Sequence, residues 1–200
     1  MADMTWELFE DQVSRCMLCP LCSAIHHKVP GEGDRESPLM FIGEGPGEQE
    51  DLQGRPFVGP AGQLLTRMLS AIQVDRSRVY ICNVVKCRPP RNRVPEEQEA
   101  EACGLHLRNQ LWLVRPKLIV LLGGTALRYT LGPNYRVTRD RGQWVKGKNG
   151  AWILPTYHPS ALLRDESKKR DAWTDMKAIR QKLIELDLYD RVKKEETADG

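Results

Sequence analysis

Short apolar runs recur along the chain and are separated by longer segments of mixed polarity. Four of these runs precede segments rich in glycine, arginine or histidine, and they cover residues 39–42, 79–82, 118–122 and 152–154. A strand that is buried on both faces is apolar throughout, whereas a half-buried strand alternates apolar and polar positions. The four runs therefore predict parallel strands at the centre of a covered sheet.

The segments between these runs have the pattern of helices. Helical spacing of apolar residues, or a proline followed by acids, is found in 4–15, 63–72, 95–114, 125–131 and 166–188. In the segment that begins at Pro95, proline at the first helical position and acids near the positive end of the helix dipole both favour a helix. Strands and helices therefore alternate along the chain.

This alternation predicts a single α/β domain over residues 1–188, built as a three-layer α/β/α sandwich with a central four-stranded parallel sheet. A chain of 200 residues is long enough to bury a substantial core in one domain. Residues 189–200 offer almost nothing to bury, and we expect them to form a disordered tail.

The composition of the chain tells more about its cellular compartment than about its fold. The 30 Lys and Arg against 27 Asp and Glu give a net charge of +3, which neither requires nor excludes a nucleic-acid partner. No apolar run approaches the roughly 20 residues that span a bilayer, and the acidic N-terminal segment lacks the features of a signal peptide. We therefore expect a cytoplasmic protein with no membrane partner. Its six cysteines should be reduced, which favours metal binding or chemistry over disulfides.

Two separated pairs of cysteines could together close a four-thiolate site. These are Cys16, Cys19, Cys87 and Cys103. Zinc and a 4Fe-4S cluster both accept four thiolates, and the spacing does not choose between them. Burial of the cysteines as small hydrophobic residues is the alternative. Cys22 extends the first pair towards a ferredoxin-like run, but His26 stands where the next cysteine would be. Cys22 and Cys82 are therefore expected to be packing residues.

Ligands of parallel sheets bind outside the carboxyl ends of the strands, where this sequence is unusual. The segment 43–47, GEGPG, which we call the glycine loop, would let backbone N–H groups approach a ligand closely. It does not match a phosphate-binding fingerprint, and the acids around it favour a neutral or cationic guest. Phe57 stands among glycines and prolines, where a stacking role is favoured over a core position. His158 follows the last apolar run, either as a ligand-contacting group or as part of a structural turn.

Basic residues are concentrated in two stretches. Residues 86–93, KCRPPRNR, contain four basic residues and no acid, and residues 136–148 contain five basic residues and one acid. Either stretch alone would usually be solvated surface. Because the first lies beside the candidate site, the two together predict a face that contacts nucleic-acid phosphates. The expected contacts in the first stretch are Arg88, Arg91 and Arg93.

Four motifs together closely resemble the family 4 uracil-DNA glycosylases of bacteria and archaea, which carry a 4Fe-4S cluster. They are the glycine loop, GRPFVG at 54–59, NVVKCRPP at 83–90 with NR at 92–93, and HPS at 158–160. The similarity extends from Cys16 to Leu186. It implies that the cofactor is a 4Fe-4S cluster with the ligands Cys16, Cys19, Cys87 and Cys103.

The resemblance also implies roles in a uracil site. Phe57 would stack on the base, Asn83 would read its Watson–Crick edge, and His158 would contact its O2. Glu50 aligns with the position that excludes the 5-methyl group of thymine. The uracil-binding set is completed by Gly43, Glu44 and Gly45.

Cleaving an N-glycosidic bond places positive charge on the sugar and negative charge on the departing base, so catalysis follows from stabilising both. His158 would be catalytic as the donor to the developing charge on O2. Where family 1 enzymes have an Asp two residues after the first glycine of this loop, this chain has Gly45. The attacking water would then be positioned by Glu44 or by a backbone carbonyl.

A base must leave the duplex stack before it can be cleaved, which calls for a wedge and for phosphate contacts. Leu162 and Leu163 are the wedge candidates, and Arg164 is an additional DNA-binding candidate. Crosslinking relatives trap uracil through a histidine in an inserted loop after the second strand. No histidine follows that strand here until His106, so ordinary turnover is expected.

These inferences predict a monomeric uracil-DNA glycosylase that flips uracil out of DNA, hydrolyses its N-glycosidic bond and initiates base excision repair. The substrate would be uracil-containing DNA, single- or double-stranded. One alternative is a non-catalytic nucleic-acid-binding module that is stabilised by a bound zinc ion and whose loops only contact phosphates. The other is a uracil-binding relative with altered activity.

Overall fold

One mixed sheet organises the protein, seen here in a computed structural model that describes residues 4–195. Within that range the sheet contains six strands: β1 (Glu32–Gly33), β2 (Leu39–Gly43), β3 (Tyr80–Asn83), β4 (Leu118–Leu122), β5 (Val145–Lys146) and β6 (Trp152–Thr156). Their spatial order is β1-β3-β2-β4-β6-β5. The four central strands are parallel and are the ones that the apolar runs predict.

The edge strands β1 and β5 correct the expected strand number from four to six. Each has two residues and pairs antiparallel, β1 with β3 and β5 with β6. A two-residue strand is defined by its partner rather than by its own residue pattern, so neither was predictable from hydrophobicity. The central parallel sheet and the α/β class are confirmed.

Nine α-helices surround the sheet in the described part of the chain. They are α1 (Trp6–Ser14), α2 (Glu48–Gln53), α3 (Pro60–Ala71), α4 (Glu97–Val114), α5 (Gly123–Leu131), α6 (Val137–Asp140), α7 (Pro159–Arg164), α8 (Lys169–Glu185) and α9 (Tyr189–Val192). The helix expected from Pro95 begins at Glu97, because Glu96 caps it and its backbone N–H donates to the Glu99 carboxylate at 2.8 Å. None of these helices has the length and apolarity needed to cross a membrane.

The two faces of the sheet bury separate apolar clusters. Met40 and Ile42 belong to a cluster that α4 and α5 complete, whereas Leu39 and Phe41, the alternate positions of the same strand, belong to a cluster that α3 and α8 complete. Alternate residues of a strand point to opposite faces, so both faces of β2 are covered. Burial of a large aliphatic side chain contributes about 1.5–3 kcal/mol, and the two clusters hold the three layers together.

Strand register brings the chemically unusual segments to one edge of the sheet. Gly43 pairs with Asn83 at the carboxyl ends of β2 and β3, and Leu122 pairs with Thr156 at the carboxyl ends of β4 and β6. The residues that follow these four strand ends therefore share one side of the molecule, as expected for a parallel sheet.

The expected disordered tail is wrong for residues 189–195. They contain α9, in which Val192 is fully buried, and Lys193 forms a β-bridge with Val74. The backbone N–H of Asp75 donates to the Val192 carbonyl at 2.8 Å. Pairing with a distant segment orders this part of the chain, and the local pattern carries no sign of it. The remainder of the expected tail, 196–200, lies outside the described residues.

Candidate active site

A cleft of about 1050 Å³ opens at the carboxyl edge of the central sheet. Each of the four parallel strands contributes to its lining at or just beyond its own end. The contributing residues are Glu44 after β2, Asn83 at the end of β3, Gly123 after β4 and His158 after β6. The structure thus brings together the segments that the sequence marked as unusual.

Asn83 presents an unsatisfied polar atom to this cleft. The residue is 1% exposed, and its Oδ1 has no hydrogen-bond partner among residues 4–195. A Cβ at Gly43 would lie 2.4 Å from this oxygen and 2.5 Å from the Phe57 ring, so only glycine fits beside them. Leaving a buried acceptor unpaired costs about 1–3 kcal/mol, so Oδ1 is available to accept a hydrogen bond from a molecule in the cleft.

Phe57 is held in the left-handed region of backbone space, with φ of 54°. Its ring centroid lies 5.6 Å from that of His158, with the ring planes inclined by 34°. Phe57 is also a member of the apolar cluster around α3, so it serves as core and cleft wall together, contrary to the expectation that it avoids the core. Since such a conformation costs about 1–3 kcal/mol, its presence beside the cleft is consistent with a functional constraint.

Glu50 fixes the loop that carries Phe57. Its Oε1 accepts hydrogen bonds from the backbone N–H groups of Val58 at 2.9 Å and Gly59 at 2.8 Å, and its Oε2 accepts one from Gly47 at 3.1 Å. Glu50 lines the cleft, but its carboxylate is committed to these three donors. The Gly47 N–H is likewise used within the protein and is not free for a ligand.

The two ring nitrogens of His158 differ: Nδ1 is hydrogen-bonded within the protein, whereas no group of residues 4–195 forms a hydrogen bond with Nε2. Its Nδ1 lies 3.2 Å from the backbone N–H donor of Ser160 and 2.8 Å from the Ser160 hydroxyl. Burial lowers the pKa of His158 to about 4, and the positive charge of Arg164 adds to this shift. The ring is therefore neutral near pH 7. Because Nδ1 accepts, the single proton resides on Nε2, which makes Nε2–H a hydrogen-bond donor.

The glycine loop is tied to the loop after β3 and to α5. The carbonyls of Gly43 and Glu44 accept from the backbone N–H groups of Val84 at 2.9 Å and Val85 at 3.2 Å. The Glu44 carboxylate accepts a hydrogen bond from the Thr125 hydroxyl. A Cβ at Gly45 would lie 2.7 Å from the Val85 side chain, so Gly45 allows the two loops to meet.

The three arginines of the first basic stretch differ in what they already contact. Arg93 donates two hydrogen bonds to the buried Glu99 carboxylate, at 2.7 and 2.8 Å, so its guanidinium is largely committed to the fold. Arg88 donates to Asn92 at 2.8 Å. Arg91 is exposed, and among residues 4–195 it has no ion pair or side-chain hydrogen bond.

Arg164 is exposed and borders the cleft. In the second basic stretch, 136–148, two arginines are already paired within the protein: Arg141 binds the buried Asp175 at 2.6 Å and Arg139 pairs with Asp140 at 2.8 Å. Arg164 at the cleft, and Arg91 next to the cleft-lining Asn92, are thus exposed cations without an ion pair among residues 4–195.

The two wedge candidates are separated by their burial. Leu162 is 2% exposed and lies inside the fold, whereas Leu163 is 47% exposed on the same short helix, α7. A wedge must reach into a base stack, so Leu162 is wrong as a wedge and Leu163 remains. The difference follows from the helical repeat, since consecutive residues of a helix point in different directions.

The predicted ligands Cys16, Cys19, Cys87 and Cys103 line one apolar pocket, which lies apart from the cleft. Burial raises the pKa of the Cys87 thiol to about 12, and the neighbouring thiols Cys103, Cys19 and Cys16 add to the shift. Cys103 Sγ accepts the backbone N–H of Lys86 at 3.3 Å. Cys22 also borders the pocket, while Cys82 is buried in the core, as expected of a packing residue.

The residues around this pocket include the donor types of a thiolate-bound metal group. Within 4–195, no three His, Cys, Asp or Glu side chains meet closely enough to hold a single metal ion. The four predicted thiol ligands line a common space, and His106, which also lines it, has no hydrogen-bond partner in the described part of the chain at either ring nitrogen. Thiol ligands and an unpaired buried donor fit a cluster with bridging sulfurs, which accept hydrogen bonds from their surroundings.

Sequence reasoning missed a link between the two sites. Asp51 on α2 is buried, and its Oδ1 accepts the backbone N–H groups of His26 at 2.9 Å and His27 at 3.2 Å. These histidines follow the cysteine-rich segment, so Asp51 joins that segment to the helix after the glycine loop. No local pattern distinguishes Asp51 from the other acids of α2.

The family model described as "Uracil DNA glycosylase superfamily" matches residues 30–177, a span that contains the four parallel strands and every cleft residue described above. The chain therefore belongs to the uracil-DNA glycosylase superfamily, which confirms the resemblance inferred from the motifs.

Comparison with individual relatives shows which type of uracil-DNA glycosylase the chain is similar to. A type-4 uracil-DNA glycosylase of Thermotoga maritima is 46% identical over 164 residues, which cover 82% of this chain and 85% of that protein. A type-4 enzyme of Sulfurisphaera tokodaii is 42% identical over 89% of this chain and 84% of its own length. A type-5 enzyme of Pyrobaculum aerophilum is 34% identical over 67% of this chain and 66% of its own. Within the superfamily, the chain groups with the type-4 uracil-DNA glycosylases.

Proposed function

We propose that this protein flips uracil out of DNA and hydrolyses the bond between the base and its deoxyribose, the first step of base excision repair. Its type-4 relatives are named for this activity. The observation that carries the proposal is the buried, unpaired Oδ1 of Asn83, which faces a cleft shared with Phe57 and a neutral His158. Uracil offers the N3–H donor that this oxygen lacks.

In this proposal the base is recognised by shape and by hydrogen bonding. Asn83 Oδ1 accepts from uracil N3–H, and its amide group donates to O4. Phe57 stacks on the ring. Glu50 acts indirectly: by holding the loop at 58–59, it keeps the Phe57 ring in the position that stacks on the base.

Bond cleavage leaves the electron pair of the N-glycosidic bond on the base and positive charge on the sugar. His158 Nε2–H donates to uracil O2, where negative charge develops. A preorganised donor at such a position contributes about 10²–10³ in rate. Glu44, oriented by Thr125, positions the water that adds to the sugar carbon and accepts its proton.

The cysteine pocket is proposed to bind a 4Fe-4S cluster through Cys16, Cys19, Cys87 and Cys103. When bound, the cluster crosslinks three elements: the segment after α1, the loop after β3 and α4. Glycosidic hydrolysis transfers no electrons, so these cysteines have a structural role. Their contribution is to hold the arginine-containing loop 88–93 in place.

DNA is proposed to contact the cleft side of the protein, with the protein acting as a monomer on single- or double-stranded DNA. Arg91 and Arg164 would contact phosphates, and Leu163 would occupy the space left by the flipped base. Arg88 and Arg93 would act by shaping the loop, because their guanidinium groups already bind protein partners.

An excision assay tests this function. The purified protein is incubated in excess over an oligonucleotide that contains one uracil, abasic sites are cleaved with alkali, and iron and zinc are measured in the same preparation. We expect strand breaks at uracil and about four irons per chain, as the cluster formula requires. A colourless, zinc-containing protein that binds the oligonucleotide without excising uracil would instead establish the nucleic-acid-binding module.

A further inference from the structure

Lys86 is a buried cation that lacks a carboxylate partner. The residue is 2% exposed, and its Nζ donates to the backbone carbonyl of Asn83 at 2.6 Å. Among residues 4–195 it forms no ion pair: of the buried carboxylates, Glu99 and Asp175 are bound by arginines, and Asp51 is bound by the segment at 26–27. A buried ammonium that is not paired with an anion is strongly unfavourable, so a negatively charged group belongs nearby.

The position of Lys86 identifies that group. Its side chain lines the cysteine pocket, its backbone N–H donates to Cys103 Sγ at 3.3 Å, and the next residue is the proposed ligand Cys87. A 4Fe-4S core carries less positive charge than four thiolates carry negative charge, so the ligated cluster is an anion. The ring nitrogens of His106 have no hydrogen-bond partner within residues 4–195, which independently indicates that a polar group belongs in this pocket.

Lys86 also reaches the uracil site. Asn83, whose carbonyl it binds, is the residue that faces the cleft with an unpaired Oδ1. The chain between them is held at both ends, since the Val84 N–H donates to the Gly43 carbonyl and the Lys86 carbonyl accepts the Val29 N–H at 2.7 Å. One side chain therefore contacts the cysteine pocket and the backbone of the base-reading residue.

We propose that Lys86 is a positioning residue that couples the cluster to base recognition: its ammonium is the buried countercharge of the ligated cluster and fixes the Asn83 carbonyl at the edge of the uracil site. This inference rests on the proposed function, in particular on cluster binding and on Asn83 as the residue that contacts uracil. It gives the cluster an influence on the uracil site without any electron transfer during hydrolysis.

Two consequences follow from this arrangement. A nearby cation stabilises the reduced, more negative cluster, so removal of the Lys86 charge should move the reduction potential to a more negative value. Removal of the same side chain also frees the Asn83 carbonyl, so excision should slow even in protein that retains its full cluster.

The experiment compares Lys86→Met with Lys28→Met. Lys28 is a matched control because its charge also acts on Cys87, while its Nζ donates to the Ser14 carbonyl at 2.7 Å and does not contact Asn83. For each iron-replete protein, the reduction potential is measured by film voltammetry, and single-turnover excision of uracil is measured at saturating DNA.

We expect Lys86→Met to lower the potential and to slow excision at least tenfold, whereas Lys28→Met lowers the potential and retains the parent excision rate. Parent values of both quantities in iron-replete Lys86→Met would overturn the proposal. So would equal slowing in the two variants, because the effect would then be general electrostatics. A parent protein without iron would refute the cluster itself, which separates failure of the proposed function from failure of the Lys86 role.

If Lys86→Met does not retain iron, a second pair of variants, Lys86→Arg and Lys86→Gln, is compared instead. Lys86→Arg keeps the charge and Lys86→Gln removes it, so the countercharge role requires more iron per folded chain in Lys86→Arg. Equal iron content in these two variants would overturn it. Circular dichroism on the same samples restricts the comparison to folded protein.

Discussion

Asn83→Asp separates recognition of the uracil edge from every other function of the cleft. The parent carboxamide accepts from N3–H and donates to O4, while cytosine presents the opposite pattern of donor and acceptor. The substitution removes the amide donor without changing the size of the side chain, so the space that Gly43 leaves beside Phe57 is retained. We expect slower uracil excision in a protein of unchanged fold.

The magnitude follows from the burial of Asn83. At 1% exposure, water cannot replace the lost donor, and an unpaired buried polar group costs about 1–3 kcal/mol. This corresponds to a loss of roughly fivefold to 150-fold in the uracil rate. Burial raises the pKa of a new carboxyl group, the Lys86 ammonium at the Asn83 carbonyl opposes that shift, and only the protonated form of the carboxyl group can donate to O4. Uracil excision by the variant should therefore decline as pH rises.

Single-turnover rates on matched oligonucleotides with one uracil or one cytosine measure this effect. Cytosine is the poorer leaving group, so its cleavage rises only weakly, and the uracil-to-cytosine ratio is the informative quantity. The control is Asn109→Asp, the same change at a buried residue of α4 that donates to Gln12 far from the cleft. A ratio in Asn83→Asp equal to that of the parent would show that another residue reads the base.

Three further predictions concern His158 and the arginines. His158→Ala should slow cleavage by about 10²–10³ with DNA binding retained, and unchanged single-turnover cleavage would leave His158 only its helix-capping role. Because the His158 pKa is about 4 in the folded protein and near 6.5 when unfolded, the unfolded chain binds the proton first, and stability falls as pH drops from 6.5 towards 4. Urea titrations should show this loss, at most about 3 kcal/mol, in the parent and not in His158→Ala. Arg91→Ala should reduce the log–log salt slope of DNA binding by about one, whereas Arg93→Ala should chiefly lower the free energy of unfolding by leaving Glu99 unpaired; equal slope changes would contradict this distinction.

The class of fold was predictable because its signal is local. Burial on both faces makes the residues of β2 and β4 apolar throughout and those of β3 apolar up to Asn83, and this property is visible in a few consecutive residues. The strands β1 and β5 and the segment 189–195 were not predictable in this way. Each is ordered by pairing with another segment of the chain, adjacent in sequence for β5 and distant for the other two, so its own residues carry no corresponding pattern.

Motif order was sufficient to locate the cleft, because parallel strands place the residues after their carboxyl ends on one side. Phe57 and His158 were identified from their positions among glycines and after a strand, and Asn83 from the family resemblance. Sequence could not show that the Glu50 carboxylate would be taken up by three backbone donors, or that Leu162 would turn inward while Leu163 stays exposed. Both outcomes depend on packing between helices and loops.

The sequence by itself determined which chemical groups this protein has and which strand or loop presents each of them. Tertiary structure alone decided which of those groups are deprived of water and which find partners. Arg91 and Arg93 are two residues apart, yet only Arg93 meets a buried carboxylate, and Lys86 is an ordinary basic residue of its loop until folding removes it from solvent. Charge and hydrogen-bonding capacity are properties of a residue, whereas desolvation and pairing are properties of the surroundings that the whole chain creates.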